Sequence, residues 1–292
     1  MNRLKRLPAV LKEKGIKYAL RKVLIQQPYT TPVVPNYTLV RRLFKGQAGI
    51  EIGGPSGLFG KKNNYLPLYT IVKSLDNCNF SASTIWEGSI NSGQTFNYHE
   101  NKTGIQFIAE ATLVSDIPKK NYRFLLSSNC LEHVANPLKA LNEWLSVVDS
   151  GGILLLILPN KDYCFDRKRP VTRFSHLLED FKNDVQEDDL THLDEILSLH
   201  DLSMDLQAGN FEQFKARSLK NFENRALHHH VFDMPLLKEI MEYLKLDVLM
   251  TNEAYMHIII TRKRIFKSAL LARLHSSWRK FYCYWYRTVG LY

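Results

Sequence analysis

Six consecutive aliphatic residues, Ile153-Leu154-Leu155-Leu156-Ile157-Leu158, follow directly on Gly151-Gly152. An extended segment that is apolar at every position needs cover on both faces, so this run reads as a fully buried strand. It is the longest strongly apolar run in the chain. A membrane-spanning helix needs about 20 such residues, so no transmembrane span is expected.

The neighbouring segments repeat the theme. Short apolar strands are predicted over Gly49–Gly53, Thr70–Leu75, Ile105–Ala109 and Arg123–Ser127, and Pro137–Val148 has helical apolar spacing that ends at Gly151-Gly152. Strands that alternate with helical segments argue for an α/β fold: a parallel sheet with helices on both faces. Farther on, a helix is predicted near Pro235–Leu244. Strands at Asp247–Thr251 and His257–Thr261 are close enough to form an antiparallel hairpin. Residues 161–234 lack clear strands and are rich in His and Asp. They are too long for a simple loop, which predicts an inserted cap of short helices.

Charge divides the 292 residues differently. The net +10 is ordinarily an invitation to nucleic acid or an anionic membrane. Yet residues 1–40 carry eight Lys/Arg and one acid, residues 262–292 carry eight Lys/Arg and none, and the body between them is net −5. An acidic body between basic ends is not the footprint of a nucleic-acid groove. Apolar residues at helical spacing over 8–25 predict a basic amphipathic helix, and Pro28, Pro32 and Pro35 mark a linker before a body that starts near residue 40. The expected organisation is a basic helix and linker at 1–39, a body at 40–262 with its insert at 161–234, and a basic aromatic tail at 263–292. In that tail, aromatic rings interleave with basic heads and no acid, a mixture suited to a membrane interface. Packing of the tail in an oligomer and stacking on nucleic acid are its rivals, with nucleic acid the least favoured.

Cys78, Cys130, Cys164 and Cys283 are widely spaced, without a CxxC pair. Neither disulfides nor a zinc knuckle is expected, and a reducing cytoplasm fits. The basic N-terminus is not followed by a continuous apolar stretch, so no signal peptide is expected.

The sharpest local signal is Glu51-Ile52-Gly53-Gly54-Pro55-Ser56-Gly57, directly after a predicted strand. Glycines there permit a tight turn and let backbone N–H groups approach a ligand. The spacing is not GxGxxG. Asp76, 25 residues after Glu51, is placed to hold ribose hydroxyls; a plain turn and a loop-capping acid are the bland alternatives. Then comes FLLSSNCLEHVANPLKALNEWLSVVDSGGILLLILPN over 124–160.

Together these segments resemble the class I S-adenosylmethionine-dependent methyltransferases, in particular the type 11 group. The resemblance covers roughly residues 45–160 and 245–262. It rests on the glycine loop after strand one, the acid after strand two, and the LEHV…GG…P stretch. It implies a Rossmann-like, seven-stranded, mostly parallel sheet with an antiparallel terminal strand, and S-adenosyl-L-methionine as cofactor. By the same resemblance Glu51, Gly53, Gly54, Pro55, Ser56 and Gly57 surround the methionine part, and Asp76 holds the ribose. Glu110 and Ala111 flank adenine, with Glu110 departing from the family's usual Asp. Ser128 and Asn129 line the floor beneath the sulfonium.

Methyl transfer to oxygen needs alignment and removal of one proton, a task for His, Asp or Glu. His133, beside the expected floor, is a candidate catalytic residue; a helix-start packing role is its alternative. Relatives in the ubiquinone pathway hold a divalent metal with Glu-x-x-Glu-His. Here the positions are Asn129, Glu132 and His133, and the first carboxylate is missing. No metal is therefore expected. The cap is dense in polar groups: Asp188-Asp189, Thr191-His192, His200-Asp201, Asp205 and His228-His229-His230. His200 and His229 join His133 as candidate catalytic residues facing a polar acceptor, with a solvated cap surface as the alternative. Phe165–Pro170 follows the fifth strand and offers basic heads to a phosphate or carboxylate. Trp86-Glu87-Gly88 is a candidate cover for the cofactor.

The sequence therefore predicts an O-methyltransferase acting on a small polar molecule, sugar or glycan. The predicted setting is cytoplasmic, with the basic ends at the inner membrane face. The alternatives are a non-catalytic binding protein of this fold, or a nicotinamide-dependent oxidoreductase. The latter lacks GxGxxG, and its only Tyr-x-x-x-Lys pair, Tyr18…Lys22, precedes the glycine loop.

Overall fold

The computed structural model describes residues 34–61, 64–118 and 121–265. The amphipathic helix expected at 8–25, the first part of the linker, the Tyr18…Lys22 pair and nearly all of the basic aromatic tail lie outside the described residues.

Among the described residues there are ten strands: β1 (Ala48–Ile52), β2 (Ser74–Asn79), β3 (Ser83–Thr84), β4 (Gly88–Ser89), β5 (Gly93–His99), β6 (Lys102–Ile108), β7 (Tyr122–Ser128), β8 (Val148–Pro159), β9 (Leu246–Glu253) and β10 (Met256–Lys263). Eight of them form one sheet in the order β5-β6-β2-β1-β7-β8-β10-β9. The five strands β6-β2-β1-β7-β8 run parallel, and the chain reverses direction across the sheet between β1 and β7. β10 lies antiparallel to β8 and pairs with β9 as the expected hairpin. This is a doubly wound Rossmann-like sheet with an antiparallel terminal strand. It has eight strands rather than seven, because β5 adds an antiparallel edge to β6. β5 escapes a sequence reading because only Phe96 and Tyr98 of its seven residues are buried.

The helices are α1 (Tyr37–Phe44), α2 (Pro137–Ser146), α3 (Phe174–Lys182), α4 (Leu193–Leu199), α5 (Phe211–Ser218), α6 (Asn221–Asn224) and α7 (Met234–Tyr243). α1 starts before residue 40 and Val34 is already in the core, so the body begins inside the stretch read as linker.

The apolar run behaves as its composition demands. Leu154, Leu156 and Leu158 enter one core, with Leu141 and Trp144 of α2; Ile153, Leu155 and Ile157 enter the other, with Phe44 of α1. Each such side chain contributes about 1.5–3 kcal/mol by leaving water. The glycines do not end the helix as expected, because α2 already stops at Ser146. β8 runs through them, and Gly151 takes a left-handed φ of 76° where the pairing with β7 shifts register. α2 starts cleanly because Pro137 needs no N–H partner and the Asn136 side chain accepts from Lys139 N–H.

β2 departs most from its expected limits. Thr70–Lys73 turn rather than extend, and the strand runs from Ser74 to Asn79 with Asp76, Asn77 and Asn79 buried in it. Apolar alternation misses such a strand because its buried residues are polar. Residues 161–234 hold α3 to α6, as a helical cap would, with a small core of Ile196, Ala208, Phe214 and Leu227. No helix among the described residues is long and apolar enough to cross a membrane.

Candidate active site

A cavity of about 370 Å³ opens at the carboxyl ends of β1, β2, β6 and β7, at the point where the strand order reverses. Open α/β sheets bind ligands there, and the volume falls in the range of small-molecule sites.

The glycine loop forms one wall through Gly53, Pro55 and Ser56. Gly53 has φ 78°, which costs a Cβ-bearing residue but not glycine. At Gly54 a Cβ would lie 2.4 Å from the Glu51 carboxylate. Glu51 is fully buried beneath the loop, not on the wall. Its Oε1 accepts the Ser56 N–H at 3.0 Å, and its Oε2 accepts the Tyr69 hydroxyl. Burial pushes its carboxyl up to about 8, against the lowering effect of these bonds. Glu51 and Gly54 thus shape the loop from behind. Gly57 lies in the following turn and accepts from Gly60 N–H.

Asp76 is corrected in position. It lies in the middle of β2, where its carboxylate accepts the Ile105 N–H and the Tyr122 hydroxyl, each at 2.8 Å. The end of β2 presents Asn79 to the cavity instead. The Asn79 amide donates to Gly54 O, and its oxygen accepts from Gln106, within a buried network with Asn77. The sequence reading missed Asn79 because it placed β2 too early.

Glu110, Ala111, Ser128 and Asn129 all line the cavity, as does Trp86. Glu110 is engaged: Arg225 of the cap reaches it at 2.8 Å and pairs with Glu187 at 2.8 Å as well. Arg225 and Glu187 also line the cavity, and burial pushes Glu187 up to about 6 against the pull of Arg225. Neither residue carries a local sequence signal. Arg225 is 115 positions from Glu110.

His133 lies on the cavity wall. Its Nδ1 stands 2.9 Å from Leu227 O, and a carbonyl only accepts, so Nδ1 carries the proton and Nε2 is the basic nitrogen. Burial, then the charge of His228, holds the ring well below the usual histidine range. Trp86 packs edge-on against it, with centroids 5.1 Å apart. Cys78 and Cys130 also face the cavity. Burial pushes both thiols up to about 12, so they remain protonated and are poor nucleophiles.

His200 and His229 do not reach the cavity wall, which corrects their expected catalytic placement. His200 is stacked on Phe165, packed on Phe214 and 3.3 Å from Asp205. His229 is buried with Nε2 3.0 Å from the Asn221 amide. The cap absorbs both rings in its own packing. The basic heads after β8 are also largely spent internally. Buried Arg169 donates to Asp166, Glu195 and the carbonyls of His228 and His229, and Arg167 pairs with Asp201.

Among the described residues, two groups of side chains bring metal-ligating atoms within 4.8 Å of one another: Glu132, His133 and His228, and, within the cap, His176, Asp180, His192 and His230. In the first, His228 Nδ1 is 2.5 Å from Asp166, which is thereby held, with Arg169, well below the usual carboxylate range despite burial.

No family model matches the chain, and no curated protein does. Solved structures are similar at low identity. A SAM-dependent methyltransferase from Aquifex aeolicus shares 12% identity over 85% of this chain and 98% of its own, with a TM-score of 0.42. A possible histamine N-methyltransferase from Thermotoga maritima shares 15% over 87% and 99%, with a TM-score of 0.40. An S-adenosylmethionine-dependent methyltransferase from Mesorhizobium loti shares 8% over 78% and 96%, with a TM-score of 0.44. The strand order decides the architecture without them. It is a doubly wound, Rossmann-like sheet with an antiparallel terminal strand.

Proposed function

We propose that this protein is an S-adenosylmethionine-dependent methyltransferase that methylates oxygen on a small polar acceptor, a sugar or glycan. The observation that carries the reading is the cavity at the reversal of strand order, with the glycine loop on one side and neutral His133 on the other. The residues present fit the cofactor. The backbone at Gly53–Ser56 can approach a methionine moiety closely, Glu110 and Ala111 lie at the end of β6 for adenine, and Ser128 and Asn129 form the floor. Asn79, an amide rather than an acid, faces the ribose position.

When bound, the cofactor supplies an electrophilic methyl group on a sulfonium. The chain's own work is to align the acceptor, exclude water and take a proton. His133 Nε2 would take the proton of the acceptor hydroxyl, and the Nδ1–H donated to Leu227 O fixes the tautomer that leaves Nε2 free to do so. Trp86 limits water on the open side. The acceptor class rests on the density of polar residues in the cap. We further place the protein in the cytoplasm, with its basic ends at an anionic membrane surface, on the charge division alone.

Calorimetry with S-adenosylhomocysteine tests the cofactor: binding is expected, and no heat at millimolar protein and ligand overturns the reading. Methyl-labelled cofactor with a carbohydrate extract then tests the acceptor. Binding without any turnover would favour a non-catalytic protein of the same fold. Label on nitrogen would retain the enzyme and discard the oxygen acceptor.

A further inference from the structure

The cap contains a four-residue convergence that the proposed reaction does not use. His176 and Asp180 stand one turn apart on α3, His192 immediately precedes α4, and His230 lies just before α7. Their ligating atoms all lie within 4.8 Å of one another. His176 Nε2 is 3.0 Å from His192 Nε2 and 3.4 Å from Asp180 Oδ2. Four ligands held 2.0–2.1 Å from a tetrahedral ion would stand about 3.3 Å apart. The observed separations are thus close to the edges of such a tetrahedron.

A second observation is independent of the spacing. Asp180 is 7% exposed and its Oδ2 has no hydrogen-bond partner; His230 is 1% exposed and its Nδ1 has none. Buried polar atoms are normally satisfied, and an orphan among ligating groups points to a missing ion. The framework around the group is ordered by further bonds. Asn136 donates to Asp180 O at 2.9 Å, and His230 Nε2 donates to Ala135 O at 3.1 Å, which leaves Nδ1 as the nitrogen free to ligate. The set comprises three imidazoles and one carboxylate, with no thiolate. It suits Zn²⁺, whereas Ca²⁺ and Mg²⁺ take oxygen ligands throughout.

We propose that His176, Asp180, His192 and His230 form a structural Zn²⁺ site that ties α3, the start of α4 and the segment before α7 together within the cap. The segment between Asp180 and His192 carries Glu187, which accepts from Ala135 N–H, pairs with Arg225 and lines the cavity. The clamp therefore steadies one cavity wall without taking part in the chemistry. The ligands span 54 positions with no repeated spacing, which is why no metal motif marks them in the sequence.

The test uses full-length protein, stripped with chelator and titrated with Zn²⁺ and Co²⁺. One equivalent of Zn²⁺ is expected, together with the intense visible bands of tetrahedral Co²⁺ and a rise in the thermal midpoint. His192→Ala, with an unchanged circular dichroism spectrum, should lose at least about tenfold in Zn²⁺ affinity, whereas His133→Ala should not. Absence of both Zn²⁺ binding and tetrahedral Co²⁺ bands in wild type overturns the proposal. So does Zn²⁺ binding that survives His192→Ala and disappears in His133→Ala, which would move the ion to the group at Glu132. If His192→Ala fails to fold, Asp180→Asn takes its place, and the wild-type Co²⁺ spectrum still decides.

Discussion

The Tyr69 hydroxyl donates to Glu51 Oε2 across 2.7 Å, and the same hydroxyl accepts the Ser56 N–H at 2.7 Å. The tip of the glycine loop therefore hangs from a buried Glu–Tyr pair. Because burial raises the Glu51 carboxyl from 4.5 to about 8, the folded protein holds a proton that the unfolded chain releases from about pH 4.5 upward. Stability from this group is fully present below pH 4.5 and is lost as pH rises towards 8, by a few kcal/mol at most. Thermal unfolding between pH 5 and 8 should show the midpoint falling. Glu51→Gln should flatten the fall and be at least as stable as wild type at pH 8. An unchanged slope in Glu51→Gln would assign the pH dependence to other groups.

Asp76 serves the sheet. Asp76→Ala removes the acceptor for Ile105 N–H and the Tyr122 hydroxyl, and should cost about 1–3 kcal/mol in denaturant unfolding. S-adenosylhomocysteine affinity in the folded fraction should stay within a fewfold of wild type. A selective loss of affinity at full stability would return Asp76 to the ribose.

His133→Ala should lower kcat by about 10²-fold or more while leaving S-adenosylhomocysteine affinity nearly unchanged, the mark of a proton acceptor. Single-turnover kinetics with an identified acceptor separate the two. A rise in KM alone would make His133 a packing residue.

Arg225 joins the cap to the end of β6 through Glu110 and is paired within the cap to Glu187, and its side chain is 7% exposed. Arg225→Met leaves two carboxylates crowded without their cation, and should destabilise by about 3–5 kcal/mol. It should also weaken cofactor binding, because Glu110 and Glu187 both line the cavity. Chemical denaturation and calorimetry on one preparation measure both effects.

The two basic ends predict that the full chain sediments with phosphatidylserine-containing vesicles at low salt and is released as salt rises, each basic residue near the surface contributing about 1 kcal/mol. Equal sedimentation with neutral vesicles would remove charge as the cause.

The apolar run at Ile153–Leu158, the glycine loop and the periodic helices made the doubly wound sheet legible in the sequence. Their signals are local: burial on both faces, a tight turn, one apolar stripe. That Gly53, Pro55, Ser56, Glu110, Ala111, Ser128, Asn129 and His133 line the cavity was legible for the same reason, since each follows the end of a readable strand. Asp76 was misplaced because β2 buries polar residues, and a polar strand has no apolar alternation to mark where it ends. Only the tertiary structure moved Asn79 to the cavity, turned His200 and His229 inward, and brought Arg225 to Glu110. It alone assembled His176, Asp180, His192 and His230. Those relationships join residues tens of positions apart, and their energies depend on distances and burial that no local spacing encodes.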